Sequence, residues 1–388
     1  MQKADDFASE CDFFPEDKRA KIFTSLGYGA TGVPADTLLA VRRPNVLVVI
    51  MEGMGAPFVS CLGGRPGTTP NIDRLAREGV LFTRCYANSF RTDRGTVCAL
   101  SGYPSFPTTS VMKLPGKSRT LPSIARTLLR EGYATEFLYG GDINFTNMQS
   151  YFFSTGYERT HGDTEFTAEE RSTHGWGVTD RITFDRLFDI LTHRTDSRPW
   201  HVGFLTLASH EPWKVPYDRI PDDERANSMA YLDDCIGRFT ERLRRTSIWD
   251  STLIVLIPDH GIPYPDTLAE SNPERWHIPM VWTGGAVKGP RVITKICNQT
   301  DLPATLLGQM GLPHADFRFS RDVTGRDYLY PFAFHTWGTG FGFIDDTGFT
   351  TFDLTSGRTL SDSPAPSPAR LERGKALLQT CYDDLGAR

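Results

Sequence analysis

The feature of this sequence that most constrains its fold is the uninterrupted apolar run VLVVIM at residues 46–51, which lies between Pro44 and Gly53. A run of apolar, largely β-branched residues without polar residues at alternate positions is typical of a strand that is buried on both faces. Strands of this kind occur in parallel sheets that carry helices on both sides. The run therefore predicts a central strand of an α/β protein.

Further strand-like and helix-like segments alternate along the chain that follows this run. Strands are predicted within LFTRCYA (81–87), EFLYGG (136–141), WHVGFLTLASH (200–210), STLIVLIPDHG (251–261) and IPMVWTGG (278–285). Helices are predicted within TPNIDRLAREGV (69–80), LPSIARTLLREG (121–132) and MAYLDDCIGRFTERLRRT (229–246). This alternation predicts an α/β fold, a three-layer α/β/α sandwich with a mostly parallel central sheet.

The chain changes character from about residue 310 onward. Aromatic and threonine-rich runs are separated there by Gly and Asp-Asp-Thr-Gly turns, a pattern that predicts antiparallel hairpins. The segment SDSPAPSPAR (361–370) resembles a linker, and RLERGKALLQTCYDDL (370–385) predicts a last helix. We therefore divide the chain into an N-terminal lead-in (1–43), a catalytic α/β domain (44–309) and a small C-terminal antiparallel subdomain with a terminal helix (310–388).

The composition limits the classes of function. The chain has 388 residues and a net charge of −5, without the basic bias that nucleic-acid-binding proteins show. Its seven cysteines form no C-x-x-C pair, which argues against a structural zinc site. No apolar run reaches the roughly 18–20 residues that a bilayer crossing requires, and the acidic N-terminal segment does not resemble a signal peptide. We expect the chain as given to be soluble, or to be an excised domain of a membrane protein.

Four polar residues stand at the ends of predicted strands, namely Glu52, His210, Asp259 and His260. The carboxyl ends of parallel strands meet at one edge of a sheet, where the chemistry of such folds is found. Two carboxylates and an imidazole from Glu52, Asp259 and His260 would form a plausible site for a divalent metal ion. Taken singly, Glu52 is better explained as a helix cap or a surface charge than as a metal ligand, and PDHG is equally well explained as a turn.

The segment NSFRTDRGT (88–96) places two arginines beside hydroxyl residues, directly after a predicted strand. A threonine hydroxyl is a weak nucleophile at neutral pH unless a cation or a base lowers its pKa, so Thr92 beside the predicted metal site is a candidate nucleophile. We predict that Thr92 starts a helix, whose N-terminus favours an anion. Arg91 and Arg94 would add positive potential for an anionic substrate. A solvated charged turn is the alternative interpretation.

An ordered set of motifs resembles the sulfatase/alkaline-phosphatase superfamily over roughly residues 44–345. The motifs are, in order, PNVLVVIMEGMG, TTPNIDRLAREGVLFTRCYAN, FRTDRGT, YGGDINF, WGVTD, LTLASHEPW, IPDHG and HIPMVWTGG. The set is most similar to the branch of the lipoteichoic acid synthases and phosphoglycerol transferases. This resemblance implies an alkaline-phosphatase-like fold and metal-dependent transfer or hydrolysis of a phosphoester. It implies a phospholipid headgroup or another anionic ester as substrate and an alcohol or water as acceptor.

The same resemblance implies roles for individual residues. The set of ligands for a single metal ion would be Glu52, Thr92, Asp259 and His260, with Thr92 also the nucleophile. The metal in that branch is typically manganese, with magnesium, calcium or zinc as alternatives. His210 matches the histidine that contacts the substrate phosphate, and His277 lies in a segment typical of the site. The catalytic domain of the branch faces outward from the cytoplasmic membrane, tethered by upstream helices, so an extracytoplasmic or periplasmic location is expected.

The sequence departs from that branch in the segment YGGDINFTNM (139–148). The branch carries there a Trp and an Arg that hold the phosphoglycerol group, and this chain has Thr146 and Met148 instead. Asp142, Asn144 and Asn147 remain as polar candidates for substrate binding. The departure leaves the substrate open.

Two other functions compete with the phosphoester interpretation. A sulfate-ester hydrolase of the formylglycine type needs the pentapeptide C/S-x-P-x-R at its nucleophile, and neither FRTDRGT (90–96) nor CLGGR (61–65), which has no proline, fits this pattern. A catalytically inactive binding domain is the second alternative. A site for two metal ions would need a second set of ligands. His210 and His277 with Asp218 or Asp222 could supply this set, but their spacing in the sequence is not the one expected for such a site.

Other polar and aromatic residues are interpreted as structural. Trp176 in HGWGVTD is expected to pack at a loop corner. Asp233 and Asp234 are expected on the solvated face of an amphipathic helix.

Overall fold

A nine-stranded sheet forms the centre of the protein in the computed structural model, which describes residues 7, 10–29, 34 and 36–388. Its strands are β1 (Asn45–Met51), β2 (Val80–Tyr86), β3 (Ala134–Tyr139), β4 (Arg159–His161), β5 (Trp200–Leu205), β6 (Thr252–Pro258), β7 (His277–Thr283), β8 (Arg291–Ile293) and β9 (Cys297–Asn298). The strand order is β4-β3-β5-β1-β6-β7-β2-β8, and β9 pairs with β2.

Helices cover both faces of this sheet. They are α1 (Glu16–Ser25), α2 (Pro70–Glu78), α3 (Thr92–Ser101), α4 (Pro115–Ser118), α5 (Ile124–Arg130), α6 (Met148–Ser154), α7 (Ala168–Arg171), α8 (Asp180–Thr192), α9 (Glu224–Arg244), α10 (Leu302–Gln309) and α11 (Pro368–Ala387). None of the helices in the described part of the chain combines the length and the apolar composition needed to cross a membrane.

The direction of the strands decides which loops meet. β1 pairs in parallel with β5 and β6, whereas β7 runs antiparallel between β6 and β2. Two successive reversals make β2 run in the same direction as β1 and β6. The loops after β1, β2 and β6 therefore leave the sheet at the same edge, and the predicted mostly parallel sheet is confirmed.

The central strand β1 is buried on both faces, as its apolar run predicts. Alternate residues of β1 enter two separate apolar clusters, with Val48 on one side of the sheet and Val49 on the other. The Val48 side is filled by side chains of α3, α5, α10 and α11, and the Val49 side by those of α2, α8 and α9. This arrangement gives the three layers of an α/β/α sandwich.

A second, antiparallel sheet lies near the C-terminus. It consists of β10 (Phe332–Trp337), β11 (Gly340–Asp345), β12 (Gly348–Asp353) and β13 (Arg358–Ser363). The predicted hairpins are thus confirmed. The prediction of a linker at 361–370 is largely wrong, because the first residues of this segment belong to β13 and its last residues to α11. The N-terminal lead-in is hydrogen-bonded to this region. Gln379 Oε1 of α11 accepts hydrogen bonds from the backbone N–H groups of Phe13 and Phe14 over 3.1 and 3.0 Å.

Asp233 was expected on a solvated face, and this expectation is wrong. The side chain is fully buried in α9 and accepts the backbone N–H groups of Asn71 and Ile72 at 3.1 and 2.7 Å. These groups belong to the first turn of α2, where N–H groups have no partner within the helix. Asp233 therefore caps α2 from a neighbouring helix. Asp234, in contrast, pairs with Arg181 and Arg238 at the surface.

Replacing Asp233 by asparagine is expected to change how stability depends on pH. Burial raises the pKa of Asp233 to about 6, above the value of about 3.9 that an unfolded chain has. As the pH rises, the unfolded chain therefore releases the Asp233 proton before the folded protein does. The contribution of this bound proton to the free energy of unfolding is complete below about pH 4 and is lost as the pH rises to about 6. Between about pH 4 and 6, the free energy of unfolding should therefore decrease more steeply with pH in the wild type than in Asp233→Asn, by up to about 1.4 kcal/mol per pH unit.

Urea unfolding of both proteins between pH 4 and 6.5 measures this difference directly. Equal slopes of the unfolding free energy against pH in the two proteins would mean that Asp233 is ionised in the folded state throughout.

Candidate active site

Three strands deliver four polar side chains to one edge of the central sheet. Glu52 follows β1, Asp259 and His260 follow β6, and Thr92 follows β2 through a short loop. The hydroxyl of Thr92 donates to Glu52 Oε2 over 3.0 Å. Among the described residues, Glu52, Asp259 and His260 are the only group of three potential metal ligands whose atoms lie within 4.8 Å of one another.

The atoms of this metal-ligand cluster (Glu52, Asp259 and His260) fit a divalent cation. Asp259 Oδ1 accepts the N–H groups of Gly53 and His260 at 2.9 and 2.7 Å, whereas Asp259 Oδ2 is buried without a hydrogen-bond partner. His260 Nδ1 donates to the carbonyl oxygen of Gly261 over 3.1 Å, so Nε2 is the nitrogen that has a lone pair for a metal ion when the ring is neutral. Nε2 lies 3.4 Å from both Glu52 Oε1 and Asp259 Oδ2. Two carboxylates and an imidazole that converge with free lone pairs are a suitable ligand set.

The two buried carboxylates of this cluster oppose each other's ionisation. Burial, and then the negative charge of Glu52, raise the pKa of Asp259. Burial also acts against ionisation of Glu52, but the hydrogen bond to His260 and the charge of that imidazole outweigh it and lower the pKa of Glu52. A cation between the carboxylates would allow both to be charged, because an opposite charge at close range favours the ionised form.

Thr92 is the first residue of α3, which confirms the predicted helix start. One turn further, Gly95 lies against the end of β6. A Cβ atom built on Gly95 would be 1.9 Å from the backbone oxygen of Asp259, far inside any normal contact. The missing side chain at position 95 therefore allows the first turn of α3 to lie directly against the strand that carries Asp259 and His260.

His210 lies in the loop after β5, and this loop is bonded to the segment that carries Glu52. The hydroxyl of Ser209 donates to the carbonyl oxygen of Glu52 over 2.6 Å. The backbone N–H of Glu52 donates to Thr206 Oγ1 over 2.9 Å. The charge of His210 also contributes to lowering the pKa of Glu52, so the imidazole lies within electrostatic range of the cluster.

Two residues that support the site were missed by the sequence analysis. Asp180 is buried at the start of α8 and accepts the N–H groups of Leu207 and Ala208 at 2.8 and 3.1 Å, and burial raises its pKa to about 7. Gln299 Nε2 donates to two carbonyl oxygens at the end of β6, over 2.7 and 2.8 Å. Asp180 ends the WGVTD motif and could have been found there, whereas no local pattern indicates Gln299.

The two arginines beside Thr92 have different surroundings. Arg91 is exposed, and its Nε lies 3.6 Å from the carboxylate of Asp93. Arg94 points inward, where its Nη1 donates to the carbonyl oxygens of Phe106 and Pro107 and where burial lowers its pKa. The contacts of Arg94 therefore hold α3 in place, and its role in substrate binding stays a prediction.

The predicted substrate loop is exposed and partly strained. Asp142, Asn144 and Asn147 are all exposed, and the N–H of Asn144 donates to Asp142 Oδ1 over 2.9 Å. Thr146 has a φ of 54°, in the left-handed region that costs a non-glycine residue roughly 1–3 kcal/mol and occurs often at functional sites. Met148, at the position where the resemblance implied an arginine, is buried. The exposed polar side chains stay candidates for substrate binding.

His277 begins β7 and is engaged by neighbouring strands. Its Nε2 donates to the carbonyl oxygen of Thr83 over 2.8 Å, and its Nδ1 lies 3.7 Å from the carboxylate of Glu274. The imidazole stacks on Tyr86 with ring centroids 5.3 Å apart. These contacts join β7 to β2, and a direct role of His277 in substrate binding stays a prediction.

A solved structure shares the fold of this protein. A protein of the alkaline phosphatase superfamily from Vibrio parahaemolyticus has the same fold, with a TM-score of 0.84 over 97% of this chain and 98% of that chain, at 24% sequence identity. The predicted alkaline-phosphatase-like architecture is thereby confirmed.

A sulfatase family model matches residues 44–312, and the chain belongs to the sulfatase family. It is similar to lipoteichoic acid synthase 2 of Bacillus subtilis, with 22% identity over 314 residues, 73% of this chain and 48% of the relative. It is also similar to an N-acetylglucosamine-6-O-sulfatase of Bacteroides thetaiotaomicron, with 25% identity over 181 residues, 44% of this chain and 32% of the relative. The chain spans less than half the length of these two relatives. The resemblance to the superfamily and its lipoteichoic acid synthase-like branch is confirmed, while membership alone leaves the type of ester open.

Proposed function

We propose that this protein transfers or hydrolyses a phosphodiester through Thr92. The observation that supports this most directly is the 3.0 Å hydrogen bond between the Thr92 hydroxyl and Glu52, at a buried cluster that fits one divalent cation. We propose that Glu52, Thr92, Asp259 and His260 hold this cation and that it is manganese. When bound, such an ion lowers the pKa of an adjacent hydroxyl, and its positive charge stabilises an anionic ester.

The reaction would proceed in two steps at the threonine oxygen. Before the first step, Thr92 would lose its hydroxyl proton to water. In the first step, Thr92 Oγ forms a bond to phosphorus, the bond from phosphorus to the first alcohol breaks, and that alcohol leaves with the Nε2 proton of a protonated His210. In the second, an incoming alcohol or water loses its proton to the now neutral His210 Nε2 and bonds to phosphorus, the bond from phosphorus to Thr92 Oγ breaks, and Thr92 takes a proton back from water. A positioned histidine of this kind typically contributes about 10²- to 10⁴-fold to the rate.

A phosphoester suits the residues of this chain better than a sulfate ester. The formylglycine precursor C/S-x-P-x-R does not occur at the cluster: its one match in the sequence, SNPER (271–275), lies just before β7, and an unmodified threonine stands beside the cluster. The exposed guanidinium of Arg91 near the first turn of α3 adds positive charge that an anionic ester would meet.

The proposed substrate is the phosphoglycerol-type headgroup of a phospholipid, with an alcohol or water as acceptor. We place the reaction on the extracytoplasmic side of the cell membrane or in the periplasm, as the similarity to a lipoteichoic acid synthase suggests. The loop with Asp142, Asn144 and Asn147 would contact the headgroup. The replacement of Arg by the buried Met148 makes a headgroup other than phosphoglycerol the first variation to test.

The test combines elemental analysis with intact-mass spectrometry on one purified sample. The protein would be incubated with phosphatidylglycerol, with bis(p-nitrophenyl) phosphate and with p-nitrophenyl sulfate. We expect about one divalent ion per chain and a covalent phosphate-containing adduct, which peptide mapping should place on Thr92.

The alternatives predict different results in the same assay. Release of sulfate from the aryl sulfate without an adduct would replace our proposal by the sulfatase function. Protein that binds no divalent ion and turns over none of the three esters would indicate a binding domain.

A further inference from the structure

Trp176 was expected to pack at a loop corner, and its ring does lie 5.8 Å from that of Phe145, but it also has contacts that packing alone does not explain. The side chain is 44% exposed, so burial contributes little to its position. Its ring centroid lies 4.7 Å from that of His210, with an angle of 58° between the planes. Its Nε1 donates a hydrogen bond of 2.9 Å to the carbonyl oxygen of Glu211, the residue after His210.

The same carbonyl oxygen is the partner of His210. His210 Nδ1 lies 2.8 Å from the oxygen of Glu211. Because a carbonyl oxygen can only accept, His210 Nδ1 must carry the hydrogen, and the neutral ring then has its lone pair on Nε2. A carbonyl oxygen has two lone pairs, so it can accept from His210 and Trp176 together.

The loop that carries Trp176 is itself held firmly. The backbone N–H of Trp176 donates to His174 Nδ1 over 3.2 Å, and His174 and Gly177 exchange two backbone hydrogen bonds of 3.0 and 3.1 Å. Burial, and then the charge of His210, lower the pKa of His174, which keeps this imidazole neutral and able to accept. A Cβ on Gly177 would lie 2.4 Å from the carbonyl oxygen of Gly140, so this loop lies directly against the end of β3.

We propose that Trp176 is a positioning residue for His210. Its indole N–H fixes the carbonyl of Glu211 as the acceptor for His210 Nδ1, and its ring limits the rotation of the imidazole. The result is a histidine that keeps Nε2 free for the reacting oxygen atoms. Only this last consequence rests on the proposed function, because the hydrogen-bond arrangement itself does not depend on the reaction.

The variant Trp176→Phe tests the proposal, because it keeps an aromatic ring and removes the N–H. The tautomer of His210 would be read from ¹⁵N chemical shifts of histidine-labelled protein, with the signal assigned by its loss in His210→Gln. We expect the Nδ1–H form to dominate in the wild type and the Nε2–H form to gain population in Trp176→Phe. Where a phosphodiester is turned over, kcat should fall about tenfold, the effect of one lost hydrogen bond, with KM nearly unchanged.

The matched control is Trp249→Phe, the same substitution at a half-buried tryptophan outside the site. It should leave both the tautomer and kcat unchanged. A Trp176→Phe protein with the wild-type tautomer signal and wild-type kcat would overturn the proposal. If the wild type turned over no ester at all, the proposed function would fail, while the tautomer measurement would still decide the role of Trp176.

Discussion

Replacing Thr92 by alanine is expected to reduce turnover of a phosphodiester at least about 10³-fold and to leave the fold intact. The hydroxyl is the group that would bond to phosphorus, and no other described hydroxyl donates to Glu52 Oε2. The side chain is half-buried at the first position of α3, so the loss of its methyl and hydroxyl groups removes little packing. Steady-state kinetics, circular dichroism and the melting temperature of the variant would be measured together with its content of divalent metal.

The conservative variant Thr92→Ser separates chemistry from structure. Serine keeps the hydroxyl that donates to Glu52, so it should retain measurable turnover and form the covalent adduct. If Thr92→Ala kept more than about a tenth of the wild-type activity, with the metal still bound, another residue would have to be the nucleophile.

Replacing Gly95 by alanine is expected to destabilise the protein and to impair the site at the same time. Alanine is favoured over glycine in a helix interior by about 1 kcal/mol. Here the added Cβ would lie 1.9 Å from the oxygen and 2.6 Å from the carbon of the Asp259 carbonyl, so a backbone must move. Overpacking of this kind costs about 1–3 kcal/mol or more, which exceeds the gain in propensity. A shift of about 1 Å in Thr92 would lower kcat about 10²-fold.

Gly116→Ala in α4 is the matched control. That glycine is also helical, and a Cβ there would meet no atom within 4 Å. This variant should be as stable as the wild type or slightly more stable, and fully active. The measurements are urea unfolding and kcat for all three proteins. A Gly95→Ala protein with wild-type stability and kcat would show that α3 can move away from β6 without consequence.

The ends of the central strands could be predicted from the sequence because they depend on local signals. A continuous apolar run followed at once by Glu52, or by Asp259 and His260, specifies both a buried strand and the polar residue at its end. The start of α3 at Thr92 was predicted for a similar reason. The parallel sheet then brings these ends to one edge without further information.

Other parts of the site could not be predicted, because their partners are distant in sequence. Asp233 resembles a surface residue of α9 until Asn71, 162 positions away, is found against it. The hydrogen bond from Trp176 joins residues 35 positions apart in two loops whose relative position only the folded sheet fixes. The inward turn of Arg94 is likewise decided by the carbonyl oxygens of Phe106 and Pro107 rather than by its neighbours in the FRTDRGT motif.

The separation of the site residues along the chain has a consequence during biosynthesis. Thr92 lies 40 positions from Glu52, and Gly53 lies 206 positions from Asp259, with which it shares a hydrogen bond. Contacts across such separations form late, after the strands that carry them have docked. A nascent chain that has not yet been synthesised as far as Asp259 lacks two of the four proposed metal ligands, so the growing polypeptide would carry the proposed nucleophile, Thr92, in an unreactive form. Reactivity toward phosphoesters would begin only when β1, β2 and β6 have assembled.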